Sequence, residues 1–166
     1  IFGVPLGVSA SFVFLFVLFG ALLDRAGAGE YFIKLSYTLL GRYDGGPAKA
    51  AVAASGMFGM ISGSSIANTV TVGTFTIPLM KRLGFSSHKA AAVETAASVN
   101  GQLMPPIMGA AAFIMAEFLG LDYTDIVFAA FIPAFTCYAA LFYIVHIEAK
   151  KHGLKGEDAS VLGRTW

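Results

Sequence analysis

Long uncharged blocks alternate with short polar ones along this chain, and the blocks differ in character. Residues 1–23 contain no Asp, Glu, Lys or Arg, and Asp24-Arg25 closes the run. About 20 apolar residues cross a bilayer core, so residues 1–25 predict a spanning helix. Residues 26–42 mix Phe32, Ile33, Leu35, Leu39 and Leu40 with Glu30, Lys34 and Arg42. That mixture predicts an amphipathic arm helix lying in the membrane interface, with a turn closing the segment at 46. Tyr43-Asp44-Gly45-Gly46-Pro47 supplies the turn signal, and Pro47 suits the first turn of the next helix.

Residues 50–80 form an uncharged block between Lys49 and Lys81-Arg82. As one helix the block would be about 46 Å long, against a hydrocarbon core of about 30 Å. Its middle, Ser62-Gly63-Ser64-Ser65-Ile66-Ala67-Asn68-Thr69, is too polar to face lipid. A re-entrant helical hairpin over 47–83, with its tip at Ser62–Ser65, satisfies both constraints. Residues 88–120 are apolar apart from a few charges and are broken at Ser98-Val99-Asn100-Gly101-Gln102-Leu103-Met104-Pro105-Pro106. Proline removes an N–H and clashes with the preceding turn, so this block predicts a discontinuous spanning helix. Residues 123–148 form an ordinary span with Pro133 as a kink, and 149–166 a polar cytoplasmic tail or linker.

Charge placement tests that arrangement. Lys and Arg gather at 25–49, 81–89 and from 150 onward, whereas Glu117, Asp122 and Asp125 mark a connection without basic residues. The positive-inside rule puts the basic clusters in the cytoplasm and the acidic connection outside. A straight span over 50–80 would force Lys81, Arg82 and Lys89 outside, so the hairpin is preferred. The fold class is therefore all-α, integral to the membrane and multi-pass.

Composition removes the other classes. The chain is 57% hydrophobic and 13% charged, against about 25% charged in soluble domains. Fifteen Phe oppose intrinsic disorder. A net charge of +1 leaves no basic face, so nucleic acid is not an expected partner; the lipid bilayer is. Cys137 stands alone, and His88, His146 and His152 assemble no ligand set. Because it starts at Ile1 inside an apolar run, the chain reads as an internal piece of a longer polypeptide.

Candidate chemistry lies in the two polar interruptions. Irregular backbone at membrane depth persists only inside protein or beside a water-filled cavity. Broken helices bring carbonyls, hydroxyls and dipole ends there, and unwound carbonyls favour cations. The candidate ion- and substrate-binding residues are Ser62, Gly63, Ser64, Ser65, Asn68 and Thr69 in the first break. In the second they are Ser98, Asn100, Gly101, Gln102, Pro105 and Pro106. Plainer accounts stand beside these: Ser64 or Ser65 capping the following helix, and Asn100 and Gln102 forming an interhelical hydrogen-bond cluster. Thr71, Thr74 and Thr76 are read as packing hydroxyls. Glu94, five residues past Lys89, is expected to snorkel to the cytoplasmic interface rather than to carry a coupling proton. GGPAKAA lacks the second Gly-Lys-Ser/Thr element of a phosphate loop, and no Ser–His nucleophile pair is visible.

SGMFGMISGSSIANTVTVGTFTIPLMKRLGF at 55–85, followed by ETAASVNGQLMPPIMGAAAFIMAEFLG at 94–120, carries a specific likeness. Together these blocks resemble the large membrane subunit of tripartite ATP-independent periplasmic (TRAP) transporters, in its fused, TAXI-type branch. The similarity runs from about Ile1 to Lys151. Met104-Pro105-Pro106-Ile107 stands where the general family pattern often has isoleucine-proline-proline-serine.

The resemblance implies one inverted repeat of an elevator-type secondary transporter, in a bacterial or archaeal inner membrane. It implies that 1–23 is a scaffold helix and 26–42 an arm. The two breaks would form one sodium site and half of the substrate site, with Ser62, Ser64, Ser65, Asn68, Asn100 and Gly101 as the positions carried over. Sodium candidates are Ser62, Ser64, Asn68, Asn100 and Gly101, and no organic cofactor is implied. The implied partners are a periplasmic TAXI-type substrate-binding protein, a second inverted repeat and a small-subunit region of the same polypeptide. The implied cargo is a small organic acid or amino acid. A channel or structural scaffold, and an intramembrane enzyme, are the competing classes.

Overall fold

A computed structural model describes residues 3–153; the greater part of the expected tail lies outside the described residues. Within that range the chain is helical, and no strand occurs among the described residues. Helix α1 (Val4–Val8) leads through a π-helical segment (Ser9–Val13) into α2 (Phe14–Arg25). Helix α3 (Ala28–Leu40) follows, then α4 (Gly46–Ser62), α5 (Ser65–Thr71) and α6 (Gly73–Arg82). The remainder is α7 (Ser87–Gly101), α8 (Ala110–Leu119) and α9 (Tyr123–Lys151).

Helix α4 is the centre of the molecule because its sequence is small. Ala48, Ala50, Ala51, Ala54, Ser55, Gly56 and Gly59 are all buried, leaving room for neighbours on every side. Small residues let helix backbones approach closely, which is how helices associate where water supplies no driving force. At Gly56 an added Cβ would lie 3.0 Å from the Tyr138 ring; at Gly59 it would lie 2.6 Å from Gly101 Cα. The chain turns at Gly63, which is left-handed at φ 60°, and at extended Ser64. Helices α5 and α6 then run back along α4: Asn68 bonds the Ser55 carbonyl, and Met80 packs with Ala48 and Ala51. The result is a helical hairpin in two limbs, the second divided at Val72.

The apolar face of α3 is taken up by this hairpin. Gly29, Ile33, Ser36 and Tyr37 are buried at i, i+4, i+7 and i+8, the stripe of an amphipathic helix. Ile33 packs with Ala54, Phe58 and Val72. The Arg25–Gly29 corner consequently sits beside Phe58 and Thr71, near the hairpin tip. Grouping Arg25 with the other basic ends, as charge spacing suggested, therefore needs correcting. Lys49, Lys81, Arg82, Lys89 and Lys150 do belong to one end of the bundle. There Ala48, Met80, Phe85, Ala90, Val145 and Ala149 share one core. Lys49 Nζ lies 2.9 Å from His146 Nδ1, and Lys89 pairs with Glu148.

Among the described residues, one helix is long and apolar enough to cross a membrane: α9, with 29 residues. Residues Val4–Arg25 are helical throughout, but the π-helical segment divides them. Along α9, Phe128, Phe131, Ile132, Phe135, Tyr143 and Ile144 are exposed, Ile132 by 73%. An apolar face of that extent needs lipid or other protein against it. Pro133 is accommodated inside α9.

Candidate functional site

The helical run of 88–120 breaks at 102–109, between α7 and α8. Successive turns close the end of α7: the carbonyls of Val99, Asn100 and Gly101 accept from the N–H groups of Gln102, Leu103 and Met104. The Gln102 carbonyl accepts from Gly109 N–H at 2.8 Å, and Met108 sits at φ 59°. Pro105 and Pro106, joined by a cis peptide bond, lie in this loop. The Tyr123 hydroxyl donates to the carbonyls of Pro106 and Ile107, tying the loop to the start of α9.

The hairpin tip and this loop meet. A Cβ on Gly63 would fall 2.3 Å from the Met108 carbonyl oxygen, so glycine is required there twice over, by conformation and by space. Gln102 Nε2 donates to Ser65 Oγ at 3.0 Å. Gly59 and Gly101 bring the two backbones together one turn deeper, beside the Asn68 amide. Ser62, Gly63, Ser64, Gln102, Met108 and Gly109 line a pocket of about 410 Å³ that continues to Phe16 on α2 and Ile126 on α9.

The sequence candidates separate by role here. Ser64 caps α5 by accepting from Ala67 N–H at 3.3 Å, the plain structural task considered for it. Ser65 and Gln102 bridge the two breaks, whereas Thr69 and Asn100 are half-buried on their helices. Asn68 is fully buried; its Nδ2 donates to the Ser55 carbonyl at 2.8 Å, and its Oδ1 has no partner. A buried oxygen without a donor costs free energy, which a ligand of positive charge would recover.

Ser98 turns away from the loop and into a second cluster. Glu94, only 1% exposed, accepts from Thr76 Oγ1 at 2.6 Å, Ser55 Oγ at 3.1 Å and Ser98 Oγ at 3.2 Å. The expected snorkelling of Glu94 is overturned: its side chain lies between α4, α6 and α7, where hydroxyls replace the interfacial water. Thr76 is likewise more than a packing hydroxyl. A signal was available in the spacing, since Ala90, Glu94, Ala97, Ser98 and Gly101 share one small-residue stripe of α7, and all five are buried. Ser55, inside an Ala- and Gly-rich helix, carried no such signal.

A bundle in which a helical hairpin meets a broken helix at a polar junction is compatible with a membrane transporter, and comparison with known proteins places it more closely. Residues 3–166 match the model of the tripartite ATP-independent periplasmic transporter, DctM component. The chain belongs to that family and matches part of its large permeases. It is 28% identical to the uncharacterized protein YgiK of Salmonella typhimurium over 82% of this chain and 31% of the relative. To the C4-dicarboxylate TRAP transporter large permease protein DctM of Rhodobacter capsulatus it is 34% identical, over 55% of this chain and 21% of that protein. To the sialic acid TRAP transporter permease protein SiaT of Haemophilus influenzae it is 28% identical, over 83% and 22%. The chain thus spans about a third or less of the length of these relatives.

Proposed function

We propose that this chain is one repeat of the large permease of a cation-coupled TRAP transporter, with sodium as the coupling ion. In this reading the hairpin is re-entrant from the cytoplasmic side of a bacterial or archaeal inner membrane. It carries cargo past a scaffold in an elevator movement. The cargo is a small organic acid or amino acid presented by a periplasmic substrate-binding protein, of TAXI type by the motif Met104-Pro105-Pro106-Ile107. A second repeat, and a small-subunit region of the same polypeptide, complete the cavity, since such sites form between repeats.

One observation carries the reading: two breaks distant in sequence converge on one junction that holds a buried, unpartnered oxygen, Asn68 Oδ1. Ser62, Ser64, Asn68, Asn100 and Gly101 are the proposed sodium-site residues. Gly63, Ser65, Thr69, Gln102, Pro105 and Pro106 shape the adjoining substrate half-site, whereas Ser98, turned to Glu94, is set aside from it. A scaffold or channel subunit would not need two breaks to converge, and an enzyme would need a base or metal beside them.

The test is uptake by the full-length transporter and its binding protein in proteoliposomes, measured against sodium concentration. Asn100→Ala, and Ser64→Gly, which keeps most of the N-cap preference while removing the hydroxyl, should each raise the sodium needed for half-maximal uptake. Unchanged sodium dependence in both variants would reduce these residues to packing.

A further inference from the structure

Among the described residues, six polar or charged side chains other than tyrosine are buried: Ser36, Ser55, Asn68, Thr76, Glu94 and Ser98. Five of the six belong to one connected network. Glu94 gathers the hydroxyls of Ser55, Thr76 and Ser98, and Ser55 and Ser98 lie 3.3 Å apart. The Ser55 carbonyl in turn takes the Asn68 Nδ2 donor. The network therefore runs from α7 to both limbs of the hairpin and ends on the unpartnered Asn68 Oδ1.

We propose that Glu94 is the positioning residue of the junction: by holding Ser55, Thr76 and Ser98 it fixes the orientation of the Asn68 amide, whose nitrogen lies beside the Gly59–Gly101 contact. The inference rests on the sodium-site reading above for its functional half only. Glu94 does not itself reach the junction. It lies seven residues before Gly101, about 10 Å along the helix. Its Oε1 accepts two hydroxyls and its Oε2 a third, which leaves it committed within the network. The effect on Asn68 is directional. A side-chain amide has one donor end and one acceptor end. Because Ser55 supplies a carbonyl, the donor end is turned towards it and the acceptor end is left for a cation. Loosening α4 against α6 and α7 would release that choice. A carboxylate suits the task better than a hydroxyl because it accepts several bonds at once from three separate helices.

The experiment compares Glu94→Ala, Glu94→Gln and Thr76→Val in the full-length transporter by two readouts. Amide hydrogen exchange reads local opening of the junction, and sodium-dependent uptake reads its use. Glu94→Ala should speed exchange at 62–72 and 98–109 while α3 and the last turns of α9 exchange as in the wild type. It should raise the half-saturating sodium concentration about fivefold, the equivalent of one lost buried hydrogen bond. Glu94→Gln, which keeps the shape and most of the bonding capacity, should rescue both readouts. Thr76→Val, nearly isosteric, should move both in the direction of Glu94→Ala by a smaller factor, and serves if the alanine variant does not fold. Unchanged exchange at the junction in Glu94→Ala and Thr76→Val would overturn the proposal. So would a glutamine variant as impaired as alanine, because charge and not position would then be required. A wild-type transporter indifferent to sodium would sink the sodium reading, while the exchange data would still decide the role of Glu94.

Discussion

The two ends of the hairpin are built on opposite principles. At the basic end, where α4 and α7 begin and α6 and α9 finish, Met80, Ala48, Ala90, Val145 and Ala149 interlock as a closed apolar core. Charges there stand on the rim and find partners, as Lys89 does with Glu148. At the tip the contacts are glycine against backbone, serine against glutamine, and an asparagine oxygen against nothing. The first end is arranged for stability. The second carries an unpaired buried group, Asn68 Oδ1, whose cost a bound cation would recover in the proposed reading. Both ends belong to the same helices, so a closed apolar base presents a polar tip.

That contrast can be broken most forcefully from the closed end. Met80→Ala removes a fully buried side chain from the core and should cost about 2–5 kcal/mol. Thermal unfolding in detergent would show it as a lower Tm, with the sodium concentration for half-maximal uptake unaltered in the protein that remains folded. A shift in sodium dependence would show that the ends are not separable.

Gly59→Ala comes next. Its methyl would meet Gly101 Cα at 2.6 Å, with backbone on the opposing side unable to swing away. Overpacking of this kind costs about 1–3 kcal/mol. Here both readouts should move together, because separating α4 from α7 also displaces Asn68. A Gly59→Ala protein with wild-type sodium dependence would place the cation elsewhere.

The smallest effect is expected on the rim. Lys89→Ala should scarcely alter Tm, since an exposed ion pair is weakened by solvent and salt. Raising the salt concentration should erase whatever difference remains, provided sodium is held constant. A large loss of stability would mean that the Lys89–Glu148 pair, and not the apolar core, holds α9 to the hairpin.

The helical content and the two chain breaks were legible in the sequence, and the reason is local. A polar Ser-Gly-Ser-Ser in an uncharged block and a Pro-Pro in another are chain breaks wherever the fold places them, because glycine and proline act on their own backbone. The sequence by itself thus determined helical content and the approximate positions of both breaks, although 98–101 stay helical and the second break opens at 102. It also offered Ser64 or Ser65 as a helix cap, and the structure selects Ser64. What only the tertiary structure decided was the environment of each side chain. Glu94 lies close enough to Lys89 to suggest an interfacial head group, yet one helix face separates water from the core. Its face was chosen by the small residues Ala90, Ala97 and Gly101, which draw α4 against α7. The amphipathic stripe of α3 was matched to the membrane interface by its pattern alone, and in the structure Ile33 on that stripe packs with Ala54, Phe58 and Val72 of the hairpin. Asn68 shows the limit most clearly. A sequence can name an amide within a polar break, but which of its ends is left unpaired depends on the carbonyl of Ser55, thirteen residues away and on another helix.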